Sequence, residues 1–304
     1  MDNHDHPTHD APQSRHQHGH GHGAATDDPE TQARTEAALA GLLELDAEVL
    51  RTFHDETAAW VHDQAADLAC TRILDLGSGI GIGALALAHY FDKADITALD
   101  ISPYLLQRLR ERAGDLGLAD RIHTVEADLD AAWPPLDPAD LAWASTSLHH
   151  MQDPDRVLAT VHAALRPGGL LAVAELDAFP RFLPEDLGFG RPGLEDRCHA
   201  ALAGHMAEQL PHLGADWGPY LTRAGFTVQA QRTFTIDPAR PLPAATGRYA
   251  RLALQRIRSG VDARVDADDL AALDTLLGDG PEGVLRREDL TVRGARTLWI
   301  ARRP

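Results

Sequence analysis

Residues 73–83 read Ile-Leu-Asp-Leu-Gly-Ser-Gly-Ile-Gly-Ile-Gly, and an apolar segment follows directly. The pattern is that of an apolar strand ending in an acid, then a glycine turn, then a helix that continues through Ala84. Glycine has no Cβ, so such a turn can bend sharply and its backbone can lie against a ligand. The N–H groups at the start of the helix point at the same place. The stretch therefore predicts a ligand site between a strand and a helix.

Acidic residues also end the next predicted strands. Residues 95–100 form the second strand and end in Asp100, and Asp128 lies at the end of the third. A carboxylate at the end of the second strand can accept hydrogen bonds from both vicinal hydroxyls of a ribose. Two further apolar strands follow at 141–145 and 170–175. Strands that alternate with helices predict an open α/β sheet whose ligand lies at the carboxyl ends of the strands.

The spacing Asp-x-Gly-x-Gly-x-Gly at residues 75–81 resembles motif I of the class I S-adenosylmethionine-dependent methyltransferases. The later strand ends and the Arg-Pro-Gly-Gly at 166–169 match the same family, in order, over roughly residues 70–176. The resemblance implies an α/β fold with a Rossmann-like, doubly wound sheet of seven strands. It implies the strand order 3-2-1-4-5-7-6, with strand 7 antiparallel and with helical insertions that form a lid.

The same resemblance implies S-adenosyl-L-methionine as the cofactor. In the family the glycine motif holds the methionine end, the acid of the second strand binds the ribose, and the end of the third strand meets the adenine. The cofactor-binding residues implied in this way are Asp75, Gly77, Ser78, Gly79, Gly81, Asp100, Ile101, Asp128, Leu129 and Ser145. A nicotinamide-dependent dehydrogenase would instead need Gly-x-Gly-x-x-Gly, whereas these glycines fall at every second position.

A histidine pair follows the fourth strand, at the edge where an acceptor is expected. Methyl transfer from a sulfonium is an in-line displacement that needs no metal, so no metal site is predicted. If the acceptor is a hydroxyl or an amine, a general base near the methyl group helps, and histidine is the usual candidate. His149 and His150 are therefore the candidate catalytic residues. The alternative is that the pair only packs the loop near the cofactor.

Composition argues against several classes of protein. The net charge is −18, whereas binding to a nucleic-acid backbone depends on clustered Lys and Arg. No apolar run is long enough to cross a bilayer, and no signal-peptide core is recognisable. The two cysteines have no metal-ligand spacing and are interpreted as reduced thiols. We expect a cytoplasmic protein without a nucleic-acid partner and without membrane insertion.

Three regions are expected along the chain. Residues 1–28 are rich in His, Asp and Pro, so this tail is expected to be disordered and to bind metal only incidentally. Residues 29–69 carry apolar residues at helical spacing and predict N-terminal helices. The methyltransferase domain is expected at 70–304, with helical insertions at about 178–214 and 238–289. The insertions could form a lid or a homodimer interface, and both remain open.

These observations predict methyl transfer from S-adenosylmethionine to a small-molecule acceptor. The acidic charge and the helical insertions favour an enclosed small molecule over DNA, RNA or a protein tail. The alternative is a protein that keeps the cofactor site but has lost methyl transfer. Such a protein would be a regulator, or an enzyme that uses the cofactor to assist a rearrangement or cyclisation. Formation of S-adenosylhomocysteine separates the two hypotheses.

Overall fold

One sheet of seven strands forms the centre of the computed structural model, which describes residues 29–304. The strands are β1 (Arg72–Leu76), β2 (Asp95–Asp100), β3 (Ile122–Glu126), β4 (Ala139–Ser145), β5 (Leu165–Leu176), β6 (Thr227–Ile236) and β7 (Gly294–Arg302). The α-helices are α1 (Pro29–Val49), α2 (Arg51–Gln64), α3 (Ile82–Tyr90), α4 (Pro103–Asp115), α5 (Pro154–Ala164), α6 (Leu194–Gln209), α7 (Trp217–Arg223), α8 (Thr246–Gly260) and α9 (Ala267–Leu277). The tail predicted for residues 1–28 lies outside the described residues.

The strands lie across the sheet in the order β3-β2-β1-β4-β5-β7-β6. The first five strands pair in parallel, whereas β7 runs antiparallel to both β5 and β6. The predicted fold class and strand order are therefore confirmed. Because parallel strands end at the same edge of a sheet, the loops that follow β1, β2, β4 and β5 meet at that edge.

Helices cover both faces of the sheet. Ile73 and Leu141 belong to a core that includes residues of α2, α3 and α8, whereas Leu74 and Leu171 belong to a second core with α5 and α7. This burial explains why β1, β4 and β5 are nearly continuous apolar runs without alternation. The two cores hold the strands in place, so the positions of the residues at the carboxyl ends of the strands are well defined.

The N-terminal helices α1 and α2 lie within the segment 29–69, where helices were predicted. Helix α1 packs against α2, α4 and α8, so it bridges distant parts of the chain. Among the described residues, no helix is both long enough and apolar enough to span a bilayer.

The two predicted insertions form one helical layer. Helix α6 lies within the first insertion, and α8 and α9 lie within the second. Arg191 and Arg197 both pair with Asp269 of α9, at N···O distances of 2.8 and 2.7 Å. Phe182 packs edge-to-face on Tyr249 of α8, with ring centroids 4.8 Å apart. Since α8 also packs on α1, this layer and the N-terminal helices cover the sheet together.

The packing of the glycine turn on α4 can be tested with two glycines that share a left-handed backbone. Gly81 has φ +78° and Gly117 has φ +69°. A Cβ on Gly81 would lie 2.0 Å from Cδ1 of the buried Leu109, whereas one on Gly117 would meet nothing within 4 Å. Gly117→Ala should lower the free energy of unfolding by about 1–2 kcal/mol, the cost of the left-handed backbone. Gly81→Ala should lose about 1–3 kcal/mol more, because Leu109 must move. Urea unfolding measures both, and equal losses would contradict this packing.

Candidate active site

The glycine turn between β1 and α3 is held by backbone contacts and leaves one polar group unpaired. Gly77, Gly79 and Gly81 all have positive φ, and the Ser78 N–H donates to the Leu99 carbonyl at 2.9 Å. The Ser78 hydroxyl is buried and has no hydrogen-bond partner within residues 29–304. A buried hydroxyl without a partner is costly, so this atom is available to a ligand at the turn.

Asp75 lies beneath the first turn of α3. Its side chain is 2% exposed, and Oδ2 accepts the Ala84 N–H at 2.8 Å. Burial and, to a smaller extent, the nearby Asp100 carboxylate raise the pKa of Asp75 to about 7, against the lowering effect of the Ala84 hydrogen bond. The contact fixes the start of α3 against β1. Asp75 therefore holds the glycine turn, which joins these two elements, in place.

Asp100 joins the end of β2 to the glycine turn. Its Oδ2 accepts the Gly79 N–H at 2.8 Å, and its Oδ1 accepts the Ser102 N–H at 2.9 Å. Burial raises the pKa of this carboxyl, and the charge of Glu36 on α1 adds to the effect. A carboxylate offers about four acceptor positions, so about two remain for a ligand such as a diol.

The expected adenine side of the site lies at the ends of β2 and β3. Ile101 is 64% exposed and Asp128 is also exposed, so both side chains are accessible at this edge. Asp128 Oδ1 accepts the N–H of Asp130 at 2.8 Å, which sets the turn after β3. Leu129 is buried in the core, where its carbonyl accepts the Trp133 indole N–H at 3.2 Å.

The backbone is strained at the end of β4. Ser145 is half-buried, and the next residue, Thr146, has φ +51°, which is rare and costly for a β-branched residue. Two contacts hold this conformation. The Thr146 N–H donates to the Ala174 carbonyl of β5 at 2.8 Å, and the Ser147 hydroxyl donates to the Leu76 carbonyl of β1 at 2.8 Å. The β4 loop is therefore tied to the ends of both neighbouring strands.

A buried carboxylate at the end of β5 holds the first histidine of the pair. Glu175 Oε1 accepts the N–H groups of Ser147 and Leu148, at 3.0 and 2.8 Å. Its Oε2 lies 2.6 Å from Nδ1 of His149, and both side chains are almost fully buried. An ionised carboxylate can only accept, so Nδ1 carries the proton and Nε2 has a free lone pair. The contact with Glu175 uses Nδ1, which leaves Nε2 to meet an acceptor group.

The second histidine lies beside the first but in a different environment. The ring centroids of His149 and His150 are 4.1 Å apart, and one side of His150 is exposed to solvent. Partial burial, together with the neighbouring His149 and Arg256, lowers the pKa of His150 to about 4. His150 is therefore uncharged near neutral pH. The structure brings the pair together, and it distinguishes a ring held by Glu175 from a ring that faces solvent.

Two acids of α1 make contacts that were not predicted from the sequence, and one of them lies beside the site. Glu36 Oε1 accepts the Ser102 hydroxyl proton at 2.7 Å, next to Asp100. Asp46 is buried and accepts hydrogen bonds from three other elements. The available signal for Asp46 was a carboxylate at helical spacing from the apolar residues Leu43, Val49 and Leu50.

Comparisons with known proteins agree with this arrangement. A family model described as a methyltransferase domain matches residues 73–169. Malonyl-[acyl-carrier protein] O-methyltransferase of Laribacter hongkongensis is 34% identical over 163 residues, which are 52% of this chain and 51% of that protein. Trans-aconitate 2-methyltransferase of Paracidovorax citrulli is 36% identical over 128 residues, which are 40% of this chain and 46% of that protein. The chain thus spans about half the length of these curated relatives.

A solved structure has the same fold. The crystal structure of a proposed methyltransferase from Bacillus halodurans C-125 superposes with a TM-score of 0.51 at 18% identity, over 80% of this chain and 97% of that chain. This likeness concerns the fold alone. The matched segment 73–169 contains the glycine turn, the ends of β2 and β3, and the histidine pair. The match over residues 73–169, the glycine turn and the strand order together support assignment to the class I S-adenosylmethionine-dependent methyltransferase superfamily.

Proposed function

We propose that this protein transfers a methyl group from S-adenosyl-L-methionine to a small-molecule acceptor. The observation that carries the proposal is that the glycine turn with Asp100 and the His149–Glu175 pair lie at the same edge of one sheet. The relatives named malonyl-[acyl-carrier protein] O-methyltransferase and trans-aconitate 2-methyltransferase support the reaction class.

The residues present fit the proposed cofactor. The unpaired Ser78 hydroxyl and the free acceptor positions of Asp100 suit a ligand with hydroxyl and amino groups. The residues proposed to line or support its site are Asp75, Gly77, Ser78, Gly79, Gly81, Asp100, Ile101, Asp128, Leu129 and Ser145. The bound sulfonium supplies an electrophilic methyl group. The protein has to hold the acceptor in line, keep water away and manage the acceptor's proton.

His149 is proposed to act as the general base, with Glu175 as its positioning residue. The 2.6 Å contact fixes the ring and its tautomer, so that Nε2 can take the proton of an acceptor hydroxyl or amine. The negative charge of Glu175 then stabilises the imidazolium that forms. His150 stays uncharged beside it near neutral pH, because burial lowers its pKa to about 4, so it adds no positive charge 4.1 Å away that would oppose protonation of His149.

The acceptor is proposed to be a small molecule enclosed by the helical cover. Helix α1 and the insertion helix α8 pack on each other above the sheet, which favours a lid over an open groove for a polymer. The net charge of −18 also opposes a nucleic-acid partner. We further propose that the protein is cytoplasmic and that the helical insertions form a homodimer interface.

Asp100→Asn tests the cofactor site. The amide cannot accept both N–H groups and a ligand hydroxyl, so the affinity for S-adenosylhomocysteine should fall by about 1.5–3 kcal/mol, roughly 10- to 150-fold. Isothermal titration calorimetry measures this affinity. Asp140→Asn is the matched control, because Asp140 is also buried and accepts the N–H groups of Thr71 and Arg72, but at the amino ends of the strands. Equal losses of affinity in both variants would reduce the effect to general destabilisation.

His149→Asn tests the reaction. Turnover of a hydroxyl or amine acceptor should fall by about 10²- to 10⁴-fold, the usual contribution of a general base. S-adenosylhomocysteine formation is the readout, with acceptors drawn from a panel of small alcohols, phenols and amines. His150→Asn is the control and should keep most activity. Full activity of His149→Asn would refute this role, and acceptor turnover without S-adenosylhomocysteine would refute methyl transfer.

A further inference from the structure

Asp46 connects four elements through one buried carboxylate. It lies near the end of α1 and is 8% exposed. Its Oδ1 lies 3.0 Å from Nε2 of His54 on α2. Its Oδ2 accepts the hydroxyl proton of Tyr249 on α8 and an N–H of Arg296 on β7, both at 2.7 Å. We call these four residues the Asp46 cluster.

The Asp46 cluster is a charged contact in an otherwise apolar region. Arg296 is 4% exposed and its guanidinium lies 4.9 Å from the centroid of the Phe53 ring. Burial alone would raise the pKa of Asp46, but Arg296, His54 and Tyr249 together hold it well below its usual range. The carboxylate therefore stays ionised, and removal of any partner leaves buried polar groups unpaired, which is expensive.

The same helix covers the glycine turn. Leu43 of α1 packs against the buried cluster of Ala40, Ile80 and Leu105, and its Cδ1 would lie 3.2 Å from a Cβ on Gly79. Closer to the N-terminus of α1, Glu36 accepts the Ser102 hydroxyl proton at the end of β2. Helix α1 thus lies across both the turn and the expected ribose position.

Asp46 and the residue of α1 that covers the glycine turn lie near each other on the same helix. Asp46 is three residues beyond Leu43, which is less than one helical turn or about 4.5 Å along the axis. A restraint at Asp46 therefore acts on the part of α1 that touches Gly79. A ligand that enters or leaves between α1 and the turn must displace this part of the helix, and the displacement strains or breaks the contacts of Asp46.

We propose that Asp46 is a positioning residue that holds α1 closed over the cofactor site and so limits the exchange of S-adenosylmethionine and S-adenosylhomocysteine. The inference rests on the proposed function, because it takes the glycine turn as the cofactor site. Asp46 does not touch the cofactor in this account. It acts through α1, with α8 and β7 as the fixed anchors.

The test is the dissociation rate of labelled S-adenosylhomocysteine after addition of excess unlabelled compound. Asp46→Asn should release the ligand at least about tenfold faster than the wild type, the range that lost buried charge contacts produce. Tyr249→Phe removes a single hydroxyl and keeps the Asp46–Arg296 pair, so it should give a smaller acceleration of about three- to tenfold. Both variants should also raise hydrogen exchange within α1.

Glu48→Gln is the matched control. Glu48 also lies on α1 and also faces α8, where Arg248 is 3.6 Å away, but the pair is exposed. Exposed pairs contribute little, so release should change less than about twofold. This comparison separates the buried cluster from any change of charge on α1.

The outcomes distinguish a failure of the proposed function from a failure of this inference. A wild-type protein that does not bind S-adenosylhomocysteine overturns the proposed function and this inference with it. If the wild type binds and both cluster variants release the ligand at the wild-type rate, the function stands and the role of Asp46 is wrong. If Asp46→Asn does not fold, Tyr249→Phe alone decides, and an unchanged rate with unchanged exchange in α1 overturns the inference.

Discussion

Three buried carboxylates at the carboxyl ends of β1, β2 and β5 organise the site by accepting backbone N–H groups. Asp75 binds the start of α3, Asp100 binds the glycine turn, and Glu175 binds the loop after β4. Backbone N–H groups in these tight turns cannot all be satisfied within regular structure, and a buried one needs a partner. A carboxylate at the strand end supplies it, and thereby fixes the position of each loop relative to the sheet.

Burying these carboxylates has an electrostatic cost, which is visible at Asp75. Burial raises the pKa of Asp75 from its ordinary 3.8 to about 7, despite the opposing hydrogen bond from Ala84. The folded state then holds this proton more tightly than the unfolded chain. The contribution of Asp75 to stability is therefore greatest at acid pH and falls as the pH rises from about 4 to 7. Burying carboxylates at this edge thus fixes the loops, but it lowers the stability of the folded protein near neutral pH.

The cover over the site depends on contacts of a different kind. Asp46 and Arg296 are 250 residues apart, and their pairing joins the first described helix to the last strand. A buried ion pair contributes little net stability but strongly disfavours arrangements that separate its members. The carboxyl edge of the sheet is thus held by carboxylates that bind the loops at the strand ends. The position of α1 over this edge instead depends on a few contacts between residues far apart in the sequence.

The sequence by itself determined the strand–turn–helix unit at residues 73–83, the acids at strand ends and, through the family resemblance, the strand order. These features are readable because turn chemistry and apolar periodicity act over a few residues. The ten cofactor-binding residues assigned between positions 75 and 145 remain predictions, and the structure adds the position of each of them. Only the tertiary structure decided that Glu175 holds His149, that Leu43 covers Gly79, and that Asp46 meets Tyr249 and Arg296. Among 46 acidic residues, no local pattern selects a partner, because the pairing depends on where distant segments meet after the chain has folded.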